Sequence, residues 1–144
     1  MRPLKLIMTG FESYKNKTEI DFENFGTKGL YLITGDTGAG KTTIFDAITF
    51  ALYGTPSGSD RTVEMLRSHF ADENTPTEVE LDFEANGKKY HIKRNPDYER
   101  KVLRGEGTTI EAANAVLTFL SEDKTPVSGV SKVLAEVEDI LHLK

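Results

Sequence analysis

Residues 30–54 read LYLITGDTGAGKTTIFDAITFALYG, and within them GDTGAGKT, Gly35 to Thr42, fits G-x-x-x-x-G-K-[ST] at every fixed position. The spacing has a chemical reason. Glycines let the backbone curl so that N–H groups of Gly35, Asp36, Thr37, Gly38, Ala39 and Gly40 can point inward at a phosphate, Lys41 reaches the β and γ oxygens, and the Thr42 hydroxyl ligates Mg²⁺. A chance match in a chain of this length is on the order of one in a few hundred from residue frequencies. The flanks agree with the motif. Leu30–Thr34 is a continuous apolar run, the pattern of a strand buried on both faces. From Lys41 to Tyr53, Ile44, Phe45, Ala47, Ile48, Ala51 and Leu52 cover most of a helix circumference, which predicts a largely buried helix whose positive N-terminal end adds to the phosphate site. Gly54 and Pro56 stop it.

A phosphate loop does not fix the reaction that follows. A GTPase needs D-x-x-G after the loop and a downstream N-K-x-D, whereas the only near match, NKTE at Asn16, precedes the loop and ends in Glu19. A small-molecule kinase usually carries the loop after its first strand, and here two strands come first. Hydrolysis of ATP normally requires a second strand of four apolar residues ending in Asp, to hold Mg²⁺ and orient water. VLTFLSED is the nearest candidate, and Thr118 and Ser121 interrupt it; the chain also contains no glutamine. The sequence therefore holds groups that grip phosphates and lacks those that split them.

Outward from the loop, Leu4–Phe11 and Thr18–Phe22 alternate as half-buried strands joined by the turn-like ESYKNK. RTVEMLRSHFA, residues 61–71, predicts a short helix. After Pro76 the pattern changes: Val79, Leu81 and Phe83 alternate, Asn86-Gly87 marks a hairpin turn, and Tyr90 and Ile92 resume the alternation. Further strands are expected at Tyr98–Leu103 and Ala115–Leu120, separated by the glycine-containing RGEGTT. Ser131 is expected to cap a final helix with the apolar stripe Val133, Leu134, Val137, Ile140 and Leu141. The organisation is a single lobe spanning 1–144, with the phosphate loop at 35–42, a β-rich subdomain at about 77–128 and a C-terminal helix at about 131–143.

Composition sets the outer bounds. The chain has 144 residues, 38% hydrophobic and 28% charged, close to the globular average, so it can bury a core. It contains no cysteine, which excludes disulfides and thiolate chemistry. MRPLKLIMTGF is too short and alternating for a signal peptide, and no apolar run approaches the ~20 residues of a membrane span, so a cytoplasmic location is expected. His69, His91 and His142 lack metal-ligand spacing, and Glu78, Glu80 and Asp82 alternate along one strand face as solvated groups would. Net charge is −5, yet Lys88–Arg104 carries seven Lys or Arg against Asp97 and Glu99. Such clustering could neutralise DNA phosphates, with Lys89, Lys93 and Arg94 as the candidate contacts.

The ordered set GFESYKNKTEIDF, GLYLITGDTGAGKTTIFDAITFALYG, SGSDR, LRSHFA and YHIKRNPDYER resembles the ATPase heads of the SMC-like superfamily, and within it the SbcC family, the large subunits of bacterial DNA-repair nucleases of the SbcCD type. Thr37 and Ala39 resemble SbcC, where SMC proteins more often carry Asn and Ser. The resemblance implies an α/β P-loop NTPase fold of the ABC/SMC-like head type: an N-terminal lobe in which the P-loop helix packs between a mixed sheet and an antiparallel β subdomain. It implies that Gly35, Gly38, Gly40, Lys41, Thr42 and Thr43 hold ATP and Mg²⁺, Lys41 being the catalytic lysine. Ser13, with Tyr14 and Lys15 beside it, would approach the nucleotide, and Glu12 replaces a basic residue of some relatives. It further implies partners: a C-terminal lobe of the same head bringing the signature motif, the Mg²⁺-binding Asp and the catalytic Glu, a second head, an SbcD-type nuclease subunit, and double-stranded DNA. On this reading the chain is the ATP-binding part of an ATPase coupled to DNA end processing and turns over little ATP alone. The alternatives are a lobe of another SMC-like repair ATPase and a non-catalytic ATP-binding interaction module.

Overall fold

The computed structural model of the protein describes residues 1–25, 41–55, 66–68, 71 and 74–142. The third expected strand, Leu30–Thr34, and most of the expected helix over 61–71 lie outside the described residues.

Period-two alternation builds the scaffold. Strand β1 (Arg2–Thr9) pairs antiparallel with β2 (Thr18–Asp21) on one side and β3 (Glu78–Ala85) on the other. Strand β3 then pairs with β4 (Lys88–Asn95), β4 with β7 (Asn114–Phe119), and β7 with the short β8 (Val127–Ser128), giving the order β2-β1-β3-β4-β7-β8. The early and late strands thus form one sheet, antiparallel among the described residues.

Register lines up the apolar residues in rows across the sheet. Leu6, Leu81, Ile92 and Leu117 are successive partners, all fully buried. At one end of the sheet Phe83, Tyr90 and Phe119 form a parallel row, with ring centroids 5.2 and 5.9 Å apart. At the other end lie Met8, Val79, Arg94 and Ala115. The β3–β4 turn is the expected Asn86-Gly87, with φ of 55° and 77°, the two positive values of a type I′ hairpin.

Two helices cover the apolar face. Helix α1 (Lys41–Tyr53) has the expected bounds and packs on β1, β3 and β4. Its buried stripe is Thr43, Asp46, Ala47, Phe50, Ala51 and Leu52, one side of the cylinder, while Phe45 is 53% exposed. Burial here is one-sided because the spacing 43, 46/47, 50/51 selects the side against the sheet. Helix α2 (Val130–Leu141) buries Val133 and Val137, with Ile140 and Leu141 packed at the margin of the core. Ser131 is not its cap. Gly129, at φ 115°, occupies that position with no side-chain hydrogen bond, and its carbonyl accepts from Val133 N–H at 2.9 Å.

Strand β5 (Tyr98–Lys101) is shorter than expected and pairs with β6 (Thr108–Glu111) in a separate two-stranded ribbon. The first four residues of RGEGTT, Arg104 to Gly107, are therefore loop, and Thr108 and Thr109 are strand. The described part of 61–71 includes Arg67 in a β-bridge to Phe11, an extended rather than helical pairing.

Candidate nucleotide-binding site

The site is built from the end of β1. Gly10, at φ 55°, turns the chain out of the strand; Phe11 and Tyr14 then close a tight loop by exchanging backbone hydrogen bonds, each 2.9 Å. Glu12, at φ 49°, sits inside this loop and donates its N–H to the Leu66 carbonyl at 2.7 Å. Phe11 is fully buried and its ring lies 5.9 Å from that of Phe50, so the turn is seated on α1. This seating carries Ser13 to the first turn of the helix, where its Oγ lies 3.3 Å from Thr43 Oγ1.

Two residues 30 positions apart are thereby joined at the positive end of α1. Lys41 and Thr42 open that helix. Gly35, Asp36, Thr37, Gly38, Ala39 and Gly40 lie outside the described residues. Among the described residues no cluster of three His, Asp or Glu side chains is arranged to hold a metal ion. The hydroxyls of Ser13 and Thr43 at the positive end of the helix suit a phosphate-bearing ligand.

The basic segment behaves differently from its charge count. Lys89, His91 and Lys93 face away from the helices, and each stands opposite an acid: Lys89 beside Glu84, His91 beside Asp82, Lys93 beside Glu80. Lys93 Nζ lies 3.6 Å from Glu78, His91 bonds to Asp82, and Lys88 bonds to Glu122. The last contact raises the Lys88 ammonium and lowers the Glu122 carboxyl from their ordinary values, mainly through the shared hydrogen bond. Arg94 must be corrected as a DNA contact. It is 2% exposed and donates from Nε to the Ala51 carbonyl at 2.9 Å, because even spacing from Tyr90 and Ile92 puts it on the core face. That parity is present in the sequence. The role of Arg67, described below, depends on pairing between distant segments and leaves no local signal.

The chain matches a family model described as an AAA domain over residues 5–136, and it belongs to that family of nucleotide-binding domains. Within this class it is similar to proteins named as the SbcC component of the nuclease SbcCD. The identity is 46% over 123 residues with that of Vibrio cholerae serotype O1, covering 85% of this chain and 12% of the relative. With that of Lactococcus lactis it is 36% over 152 residues, covering 99% and 14%. With that of Staphylococcus aureus strain MRSA252 it is 37% over 143 residues, again covering 99% and 14%. The resemblance to the SbcC family read from the motifs is borne out, and the chain spans 12–14% of the length of these relatives. Among the described residues no helix is long and apolar enough to cross a membrane.

Proposed function

We propose that the protein is the ATP-binding lobe of an SbcC-type ATPase head, which works with a separate nuclease partner on double-stranded DNA ends. The observation that carries this reading is the junction of Ser13 with Thr43 at the start of α1, immediately after a complete phosphate-loop motif. Lys41 neutralises the β and γ oxygens of ATP and Thr42 ligates Mg²⁺. A C-terminal lobe supplies the signature motif and the acidic residues for hydrolysis, and two such heads close over two nucleotides to clamp DNA. The relatives' name as components of a nuclease supports the partnership with an SbcD-type protein.

The test is Mg-ATP binding and steady-state turnover by this chain beside Lys41→Ala. Loss of charge-assisted hydrogen bonds worth about 1.5–3 kcal/mol predicts binding weakened at least about tenfold, with negligible turnover by either protein. Equal affinity in the two proteins would refute the assignment of Lys41.

Lys89 and Lys93 are the DNA contacts this proposal retains, and the acids opposite them predict a modest share of affinity. Neutralising both should reduce the slope of log affinity against log salt by about 1.8 at most for duplex DNA. An unchanged slope would remove β4 from the DNA surface.

A further inference from the structure

Arg67 lies far from α1 in sequence, yet its contacts converge on the turn that delivers Ser13. Its Nη1 donates to the Thr75 carbonyl at 2.9 Å and to Thr77 Oγ1 at 2.6 Å. Thr77 Oγ1 in turn donates to the Gly10 carbonyl at 3.0 Å, in a fully buried bond. The backbone on either side of Arg67 grips the same turn: Ser68 N–H donates to Gly10 O at 2.9 Å, and Leu66 O accepts from Glu12 N–H at 2.7 Å. Above the guanidinium lies the Tyr98 ring of β5, 5.1 Å from the charge centre to the ring centroid.

We infer that Arg67 is a positioning residue for the nucleotide site, clamping the 10–15 turn so that Ser13 meets Thr43 at the start of α1. This inference rests on the nucleotide reading above. The physical case is that a hydroxyl has one proton to give. Thr77 spends it on Gly10, so its lone pair must face a donor, and Arg67 supplies a charged one that polarises the Thr77–Gly10 bond. Gly10 is the pivot of the turn, and a shift there swings Ser13 three residues on. Tyr98 fixes the plane of the guanidinium by a cation–π contact, so the two N–H bonds of Nη1 can point to Thr75 and Thr77 together. A lysine retains the charge and enough N–H donors but not the planar group that Tyr98 holds in one orientation.

The role predicts a split between affinity and stability. Mg-ATP affinity would be measured for Arg67→Met, Arg67→Lys and Phe119→Leu at a temperature where circular dichroism shows all of them folded. Phe119 belongs to the row at the opposite end of the sheet, against Tyr90, so its truncation lowers stability without touching the turn. Arg67→Met is expected to bind about tenfold more weakly, Arg67→Lys to recover to within about threefold, and Phe119→Leu to bind like the parent protein despite a lower melting temperature. Parental affinity in Arg67→Met would overturn the inference. So would an equal loss in Phe119→Leu, since the effect would then be general loosening. If the parent protein itself fails to bind Mg-ATP, the nucleotide reading falls and this inference with it.

Discussion

Replacing Gly10 by alanine is expected to destabilise the protein by about 2–5 kcal/mol, the sum of a left-handed backbone penalty of about 1–2 and a packing conflict of about 1–3. The first part follows from φ 55°. It would be tolerable alone. The second arises because a Cβ built on Gly10 falls 2.3 Å from the Pro76 carbonyl oxygen and 3.3 Å from both its carbon and Thr75 Cγ2. The nearest atom belongs to backbone, so no side-chain rotation can relieve the overlap. Relief requires the end of β1 and the 74–77 segment to separate, which breaks the bonds to Gly10 O from Ser68 N–H and Thr77 Oγ1. Gly87→Ala provides the comparison, because φ there is 77° but nothing lies within 4 Å of the added carbon. Urea denaturation should give a loss of only about 1–2 kcal/mol for Gly87→Ala. Should the two substitutions cost the same, the collision with Pro76 is not what makes Gly10 necessary. Because Ser13 hangs from the same turn, Gly10→Ala should also weaken nucleotide binding in whatever fraction remains folded.

Much of this architecture is legible wherever the signal is local. The bounds of α1 follow from a phosphate loop before it and Gly54, at φ 80°, after it. The Asn86-Gly87 turn fixes the register of β3 and β4 and hence which residues face the helices. Strand β6 escapes because Thr108, Thr109 and Ile110 are all exposed, leaving no alternation to read in a ribbon that lacks a buried face. The start of α2 differs from expectation because a serine is a good cap by propensity, whereas the chain enters the helix through Gly129, whose N–H is already committed to Ala115 O at 2.9 Å. Within the site, Ser13 can be named only through the family resemblance. The clamp of Arg67, Thr77 and Gly10 joins positions up to 67 apart, and no periodicity reports such a contact.

Arg94 shows most plainly how a charge count can mislead, and Arg94→Met is expected to cost about 1–3 kcal/mol of stability while leaving DNA affinity unchanged. The last carbonyls of a helix have no partner within it and form its negative end. In α1 two of these, Ala51 O and Leu52 O, face Arg94, with Nε at 2.9 Å and Nη2 at 3.4 Å. Burial lowers the guanidinium pKa to about 10, so the group stays charged at neutral pH. The folded chain sheds this proton before the unfolded chain does. The contribution of Arg94 to stability therefore rises with pH only above about 10 and is flat across pH 5–9. Methionine retains most of the apolar stem and removes the cost of burying charge, which works in favour of the variant. The carbonyls, however, cannot be substituted away, and leaving a buried acceptor unsatisfied costs about 1–3 kcal/mol, so the loss is expected to win. Gly54 supplies an internal control, since a Cβ there would sit 2.9 Å from Arg94 Nη1. In a double-mutant cycle Gly54→Ala should therefore hurt less once Arg94 is methionine, with a coupling of about 1 kcal/mol. Neutral or improved stability in Arg94→Met would mean that charge burial outweighs the cap. The clamp joining the end of α1 to β4 would then have to be carried by Phe50, Ala51 and Leu52 packing alone.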